Sequence, residues 1–265
     1  MHAADLLSKR AHLTPNREAL LELATGQRYT YAQLNARANR LANFLQGRLG
    51  VQKGDRVSIL AHNSVVYIDL FYGLAKIGAI FAPLNWRLVA RELAYIVNDC
   101  QPKVLIGGPD FLGVLNGLRP GRQVRPPAAA GQVNVEHYVS VEGAPIEGAL
   151  SYEAGLAQAL DTEPPRPALD DEDPYCILYT SGTTGLPKGV VYQYGTSAVK
   201  MISIMSRFFL NGDDAYYTCY PLFHANALFL TVTPVLHAGC KMVLGERFSA
   251  SRFWDELRGG GATIF

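Results

Sequence analysis

Tyr175-Cys176-Ile177-Leu178-Tyr179 runs straight into Thr180-Ser181-Gly182-Thr183-Thr184-Gly185-Leu186-Pro187-Lys188-Gly189, and Val190-Val191-Tyr192 follows. The short apolar run reads as a buried strand and the Val-Val-Tyr run as extended chain. Between them, hydroxyl residues and glycines alternate. Glycine backbones reach positive φ, so successive N–H groups can turn into one concavity. The hydroxyls of Thr180, Ser181, Thr183 and Thr184 add short-range donors, and Lys188 adds a mobile cation. Such a loop suits a polyphosphate. It lacks the G-x-x-x-x-G-K-[ST] spacing: Pro187 precedes Lys188 where that loop needs glycine, and Gly189 follows where it needs a magnesium-binding hydroxyl. The GTPase and kinase readings weaken accordingly. No G-x-S-x-G elbow surrounds Ser181, which disfavours a serine hydrolase. A polar turn with a stray lysine is the plainer alternative, and twelve residues in this order weigh against it.

Outward from the loop, strand-like and helix-like runs alternate. Upstream, Thr30 with Gln33 fits a capping box. Leu34, Ala38, Leu41, Ala42 and Leu45 then recur at helical spacing until Gly47 and Gly50. Gly54-Asp55 turns into a strand at Val57–Leu60, and residues 64–78 read as a largely buried helix. Ile80–Ala82 is a strand ended by Pro83, residues 92–100 a helix, and Lys103–Ile106 a buried strand. Residues 119–131 read as an exposed loop, and Val133, Val135, Val139 and Val141 alternate as a strand would. Downstream, residues 196–209 read as a helix, 215–220 as a strand, 225–237 as a helix and 241–244 as a strand. Residues 249–258 read as a helix opened by Ser249, and 262–265 begin another strand. Strands separated by helices predict an α/β fold of mostly parallel sheets covered by helices on both faces. Residues 163–174, rich in proline and acids, are the best boundary: 1–168 as one α/β subdomain, 169–265 as a second that carries the loop.

Composition bounds the rest. Of 265 residues, 49% are hydrophobic and 18% charged, enough for a sizeable core. Lys plus Arg number 24 and Asp plus Glu 23, a balance that offers no footprint for nucleic acid. Cys100, Cys176, Cys219 and Cys240 stand far apart without a C-x-x-C, which argues for buried reduced thiols, against a zinc site, and for the cytoplasm. The N-terminus has an early acid and no apolar core of a signal peptide. The apolar stretch from Leu222 to Leu244 is interrupted by His224, Asn226, Pro234, His237 and Lys241, so a buried helix and strand explain it better than a membrane span. The chain ends at Phe265 inside a strand pattern, which suggests the front part of a longer design.

The segment from Tyr179 to Val190 resembles the phosphate-binding signature of the adenylate-forming (AMP-binding) superfamily, which includes acyl-CoA synthetases, aryl-CoA ligases and peptide-synthetase adenylation domains. Residues 29–35, 54–57, 76–85 and Pro221-Leu222-Phe223-His224 resemble other parts of that family. The likeness covers nearly the whole chain but only about the first half of a complete member, with the C-terminal lid domain absent.

The resemblance implies an ATP-dependent acyl-CoA ligase of the fatty-acid type, acting on a small carboxylic acid with coenzyme A as co-substrate. Thr180, Ser181, Gly182, Thr183, Thr184, Gly185 and Lys188 would hold the phosphates, and Lys188 would offset charge on the leaving group. The magnesium ligand, the nucleoside pocket and the lid lysine would lie past Phe265. On residues alone His224 reads as a core histidine at a helix start. The resemblance gives it gating and positioning beside the reacting carboxylate and the thiol entrance, with Ala225 and Asn226 lining the acyl pocket. Tyr194 stands where members commonly carry a histidine that supports the loop. His2, His12, His62, His137 and His237 have no partner at ligand spacing. The Phe248–Phe265 tail resembles fatty-acid and carnitine/crotonobetaine-type ligases, which puts an aliphatic acid first, an aryl acid second and an amino acid third. The competing reading is a non-catalytic remnant whose open sheet edge would favour a homodimer or aggregation.

Overall fold

Thr30 ends one strand and starts the longest helix, and its side chain explains both. In the computed structural model, which describes residues 3–118, 135–141, 148–180, 186–195, 203–205 and 207–265, the Gln33 amide donates to Thr30 Oγ1 at 3.3 Å. The Thr30 amide donates to Gln33 Oε1 at 2.8 Å. This is the expected capping box. Helix α2 (Tyr31–Leu49) follows and stops at Gly50, whose φ of 61° lies in the left-handed region that glycine enters without strain.

Among the described residues the strands form two sheets. The larger has seven, in the order β7 (Leu150–Ser151), β6 (His137–Ser140), β5 (Val104–Gly107), β3 (Arg56–Leu60), β4 (Ile80–Pro83), β8 (Pro174–Thr180) and β9 (Lys188–Gln193). All neighbours are parallel except β8 and β9, which form an antiparallel hairpin. The smaller has four, in the order β10 (Ala215–Thr218), β11 (Lys241–Leu244), β1 (Glu18–Glu22) and β2 (Arg28–Thr30), with only β1 and β2 antiparallel. Ile264 adds a parallel bridge to Tyr216, the start of the strand expected there.

Strand side chains alternate between faces, and the core clusters show which helices each face meets. On β5, Val104 and Ile106 join the main cluster with α2, α1 (Ala3–Leu13) and α3 (Val65–Ile77), whereas Leu105 joins α4 (Ala90–Cys100) and α5 (Leu112–Gly117) on the other face. On the smaller sheet, Leu20, Met242 and Leu244 face the same main cluster, while Leu21 and Val243 face Leu257 of the helix at Phe253–Gly260. Helices therefore cover both faces, and α1, α2 and α3 fill the space between the two sheets. This is why α3 has no polar face: all thirteen of its residues are buried.

Each sheet takes strands from both sides of position 168/169, because β8 and β9 join the strands of the first half and β1 and β2 join those of the last. The Pro-rich stretch is a crossing laid on α2 and α3. Asn39 and Asn43 donate to the carbonyls of Asp161, Leu160 and Thr162, and Lys76 donates to Glu163 at 2.8 Å. A subdomain boundary here is a place in the chain rather than a seam between sheets.

Three expected elements differ in detail. The helix expected over 225–237 has two parts, a π-helical stretch at Asn226–Val232 and an α-helical turn at Thr233–Ala238. Pro234 has no N–H for the carbonyl four residues back, and the wider turn accommodates this, with Thr233 Oγ1 donating to the Leu228 carbonyl at 2.8 Å. The last helix starts at Phe253 rather than Ser249, whose carbonyl instead accepts the amides of Arg252 and Phe253 in a lead-in turn. Of the helix expected over 196–209, residues 196–202 and 206 lie outside the described residues, and Phe209 is already out of the helix at φ 52°. The expected loop at 119–131, with Val133, also lies outside them. All four cysteines are free and buried. Among the described residues no helix is long and apolar enough to cross a membrane.

Candidate functional site

The hairpin of β8 and β9 sets Thr180, the last residue of β8, opposite Lys188, the first of β9. Both are exposed. Ser181, Gly182, Thr183, Thr184 and Gly185, which connect them, lie outside the described residues. The foot of the hairpin is anchored. Cys176 and Leu178 are buried, and the Tyr179 hydroxyl donates to Asp99 Oδ2 on α4 at 2.6 Å. Gly189 makes a close approach: a Cβ there would sit 3.0 Å from Ile177 Cγ2 and 3.2 Å from Tyr179 Cζ, so those side chains would have to give slightly. At the far end, Tyr194 is fully buried, stacks on Tyr175 at 4.8 Å, and donates its hydroxyl to the Ala75 carbonyl at 2.8 Å. Tyr194 thus ties the end of β9 to α3.

The second group follows β10. Pro221–His224 forms a turn closed by the His224 amide on the Pro221 carbonyl at 3.0 Å. Leu222 and Phe223 point into the core and His224 lies exposed, its ring 4.4 Å from that of Phe223. Ala225 is half-buried and Asn226 exposed, at the start of the π-helical stretch. Partial desolvation of the ring, and then the charge of Arg87, lower the His224 pKa from its ordinary value and so favour the neutral imidazole. A neutral imidazole can both accept and donate a hydrogen bond.

Trp86 joins the chain leaving β4 to the turn that follows β10. It lies just past β4, 6.1 Å from Phe223 and 4.7 Å from His62, with the Arg87 guanidinium 5.0 Å over its ring. Tyr179, at the end of β8, packs on the same apolar cluster. Ligands of open α/β sheets collect outside the carboxyl ends of the strands, and both predicted groups lie there. Trp86, Arg87 and Asn63 are the neighbours that sequence reasoning passes over. Trp86 and Arg87 fall in a stretch whose only sequence signal is the turn after a strand, and Asn63 reads as an ordinary residue before a helix. His62 is a packed residue, edge-on to Trp86 and Phe111. It lines a cavity of about 490 Å³ between the exits of β3 and β5.

The AMP-binding enzyme family matches residues 7–265. The chain belongs to that family. Among curated members, it is 36% identical over 250 residues to the long-chain-fatty-acid–CoA ligase FadD13 of Mycobacterium tuberculosis, covering 94% of this chain and 46% of that protein. It is 33% identical over 257 residues to the indoleacetate–CoA ligase of Aromatoleum aromaticum, covering 97% of this chain and 48% of that one. The crystal structure of the anthranilate–CoA ligase AuaEII in complex with anthranoyl-AMP superposes with a TM-score of 0.89 at 27% identity, over all of this chain and 49% of that one. The chain thus spans about half the length of these AMP-binding relatives, the N-terminal part, with the mixed α/β architecture of the family.

Proposed function

We propose that this AMP-binding chain supplies the phosphate-gripping and acyl-facing part of an ATP-dependent acyl-CoA ligase. In the first step a carboxylate oxygen attacks the α-phosphorus of ATP. The bond from that phosphorus to the β-bridging oxygen breaks, and pyrophosphate leaves with the electron pair. In the second, the coenzyme A sulfur, giving up its proton, attacks the acyl carbon and AMP leaves. The protein's task in the first step is to stabilise charge on the departing pyrophosphate. Thr180, Ser181, Thr183 and Thr184 donate hydroxyls to it, Gly182 and Gly185 let backbone N–H groups turn toward it, and Lys188 supplies the cation. His224, exposed and favoured in its neutral form, faces the carboxylate and the thiol entrance, with Ala225 and Asn226 beside it.

The observation that carries this reading is the opposed, exposed pair Thr180 and Lys188, footed by Tyr179, Asp99 and Gly189. A hydroxyl and an ammonium suit a phosphate in donor chemistry. From the likeness to the family, we assign the magnesium that would accompany ATP to a ligand past Phe265. We place an aliphatic acid first, supported by the name of the mycobacterial relative, and an aryl acid second, supported by that of the indoleacetate ligase.

The test is ATP–pyrophosphate exchange with a panel of aliphatic and aryl acids, on this chain and on a chimera that completes it with the remaining half of a relative. Exchange from the chimera with at least one acid is expected. Silence with every acid would sink the proposal. In an active chimera, Lys188→Ala should slow adenylation at least about tenfold, roughly 1.4 kcal/mol, and unchanged kinetics would remove Lys188 from its role.

A further inference from the structure

Asn63 lies just past β3 and is 4% exposed. Its Nδ2 donates to the carbonyl of Tyr220 at 3.0 Å and to that of Gly245 at 3.1 Å, and its Oδ1 accepts the amide of Leu222 at 2.9 Å. Both N–H bonds of the amide and one oxygen lone pair are therefore used, on partners more than 150 residues away in sequence. The three partners belong to the chain leaving β10 and the chain leaving β11, in the smaller sheet. Asn63 itself belongs to the larger. Two of the three, Tyr220 and Leu222, flank Pro221 in the turn that ends at His224. The turn is also closed by the His224 amide on the Pro221 carbonyl and seated by buried Leu222 and Phe223, but Asn63 is the side chain that bonds its backbone to the chain leaving β3.

We infer that Asn63 is a positioning residue that clamps the Pro221–His224 turn to the end of β3 and so sets where His224 stands at the mouth of the site. Aspartate cannot substitute: it keeps the shape and the acceptor for Leu222, but it turns a carboxylate toward two carbonyl oxygens that need donors. A buried carbonyl left without its donor is costly, so the turn is expected to move away instead. The functional meaning of this rests on the reading of His224 given above. The clamp itself does not.

The experiment uses the 265-residue chain labelled at histidine and tryptophan, with His224→Gln and Trp86→Phe to assign the resonances. In Asn63→Ala and Asn63→Asp, the His224 imidazole and Trp86 indole resonances should shift, and the His224 titration midpoint should rise toward that of a free histidine. Asn39→Ala is the control. Asn39 is another buried amide, which donates to the Asp161 carbonyl from α2. It should lower the melting temperature while leaving both resonances in place, which separates positioning from general loss of stability. Folded Asn63 variants with wild-type resonances would overturn the inference. Should neither variant fold, amide hydrogen exchange in the unmodified chain decides. The Leu222 amide is expected to exchange as slowly as those of β3, and exchange at the rate of an exposed loop would refute the clamp. Shifted resonances together with a silent exchange assay would leave the clamp standing and remove the ligase reading.

Discussion

Lys76 and Lys188 are the same residue put to opposite uses. Lys76 lies near the end of α3 with its side chain wholly buried, donating to Ser8 Oγ at 2.6 Å, Asn35 Oδ1 at 2.7 Å and Glu163 Oε1 at 2.8 Å. Lys188 opens β9 on the surface, opposite Thr180. Burial pulls the Lys76 ammonium down to about 8 against the pull of Glu163. Glu163 keeps one side in water. Its partial burial pushes upward, but the hydrogen bond and charge of Lys76 outweigh that and bring it down to about 2. The same division runs through the whole molecule. Charges inside the helical layer tie helices together: Lys76 uses its three N–H bonds on Ser8, Asn35 and Glu163, and Arg37 is held by Asp69 and Glu153. Charges at the strand ends, Lys188 and Arg87, lie where a ligand can reach them.

If that division is right, substitutions inside should register as stability and substitutions at the rim should not. The largest effect is expected at Asp69, fully buried, with Arg37 Nη2 at 2.8 Å and the Tyr152 hydroxyl at 2.9 Å. Asp69→Ala takes from the Arg37 guanidinium the buried one of its two carboxylates, leaving Glu153 at 2.8 Å, strips the Tyr152 hydroxyl of its acceptor, and should cost about 3–5 kcal/mol in chemical denaturation. A loss under about 1 kcal/mol would show that the pair is dispensable. Next comes Lys76→Ala, which opens a void and removes the shortest donor from both Ser8 and Asn35. About 2–3 kcal/mol is expected from the same measurement, and Lys76→Met, which keeps most of the volume, should lose less.

A smaller effect is expected with acid. Because the folded state holds Glu163 below its unfolded value of 4.5, that stabilisation is present above pH 4.5 and is lost as pH falls toward 2. Glu163 is 43% exposed and screened by solvent, so the loss should be on the order of 1 kcal/mol. The difference in stability between the natural chain and Glu163→Gln should shrink across this window. A difference that stays constant with pH would break the assignment. Smallest of all, Lys188→Ala should leave the melting transition within the equivalent of about 0.5 kcal/mol. A larger drop would mean that Lys188 serves the fold, and the contrast with Lys76 would fail.

Much of this was legible without coordinates. The Thr30–Gln33 box, the strand at Tyr175–Tyr179 and the parallel α/β class follow from local rules that act over a few residues: hydroxyl next to amide, apolar alternation, glycine at a stop. The proposed phosphate loop is read for the same reason, from residue types packed into one continuous segment, of which 181–185 lie outside the described residues. Asn63 was not legible, because each of its partners is chosen by how two sheets meet. The π-helical stretch was not, because Pro234 announces a disturbance without saying how the backbone will absorb it.

Residue order alone settled which segments become strands and helices and which loop carries hydroxyls and an ammonium, because those outcomes depend on neighbours along the chain. Only the folded molecule decided that the first two strands pair with the last, that α3 is enclosed on every side, that Lys76 is buried while Lys188 stays in water, and that an asparagine after β3 holds the turn bearing His224. Those outcomes depend on which surfaces exclude water together, and that is a property of the packed layers rather than of any one segment.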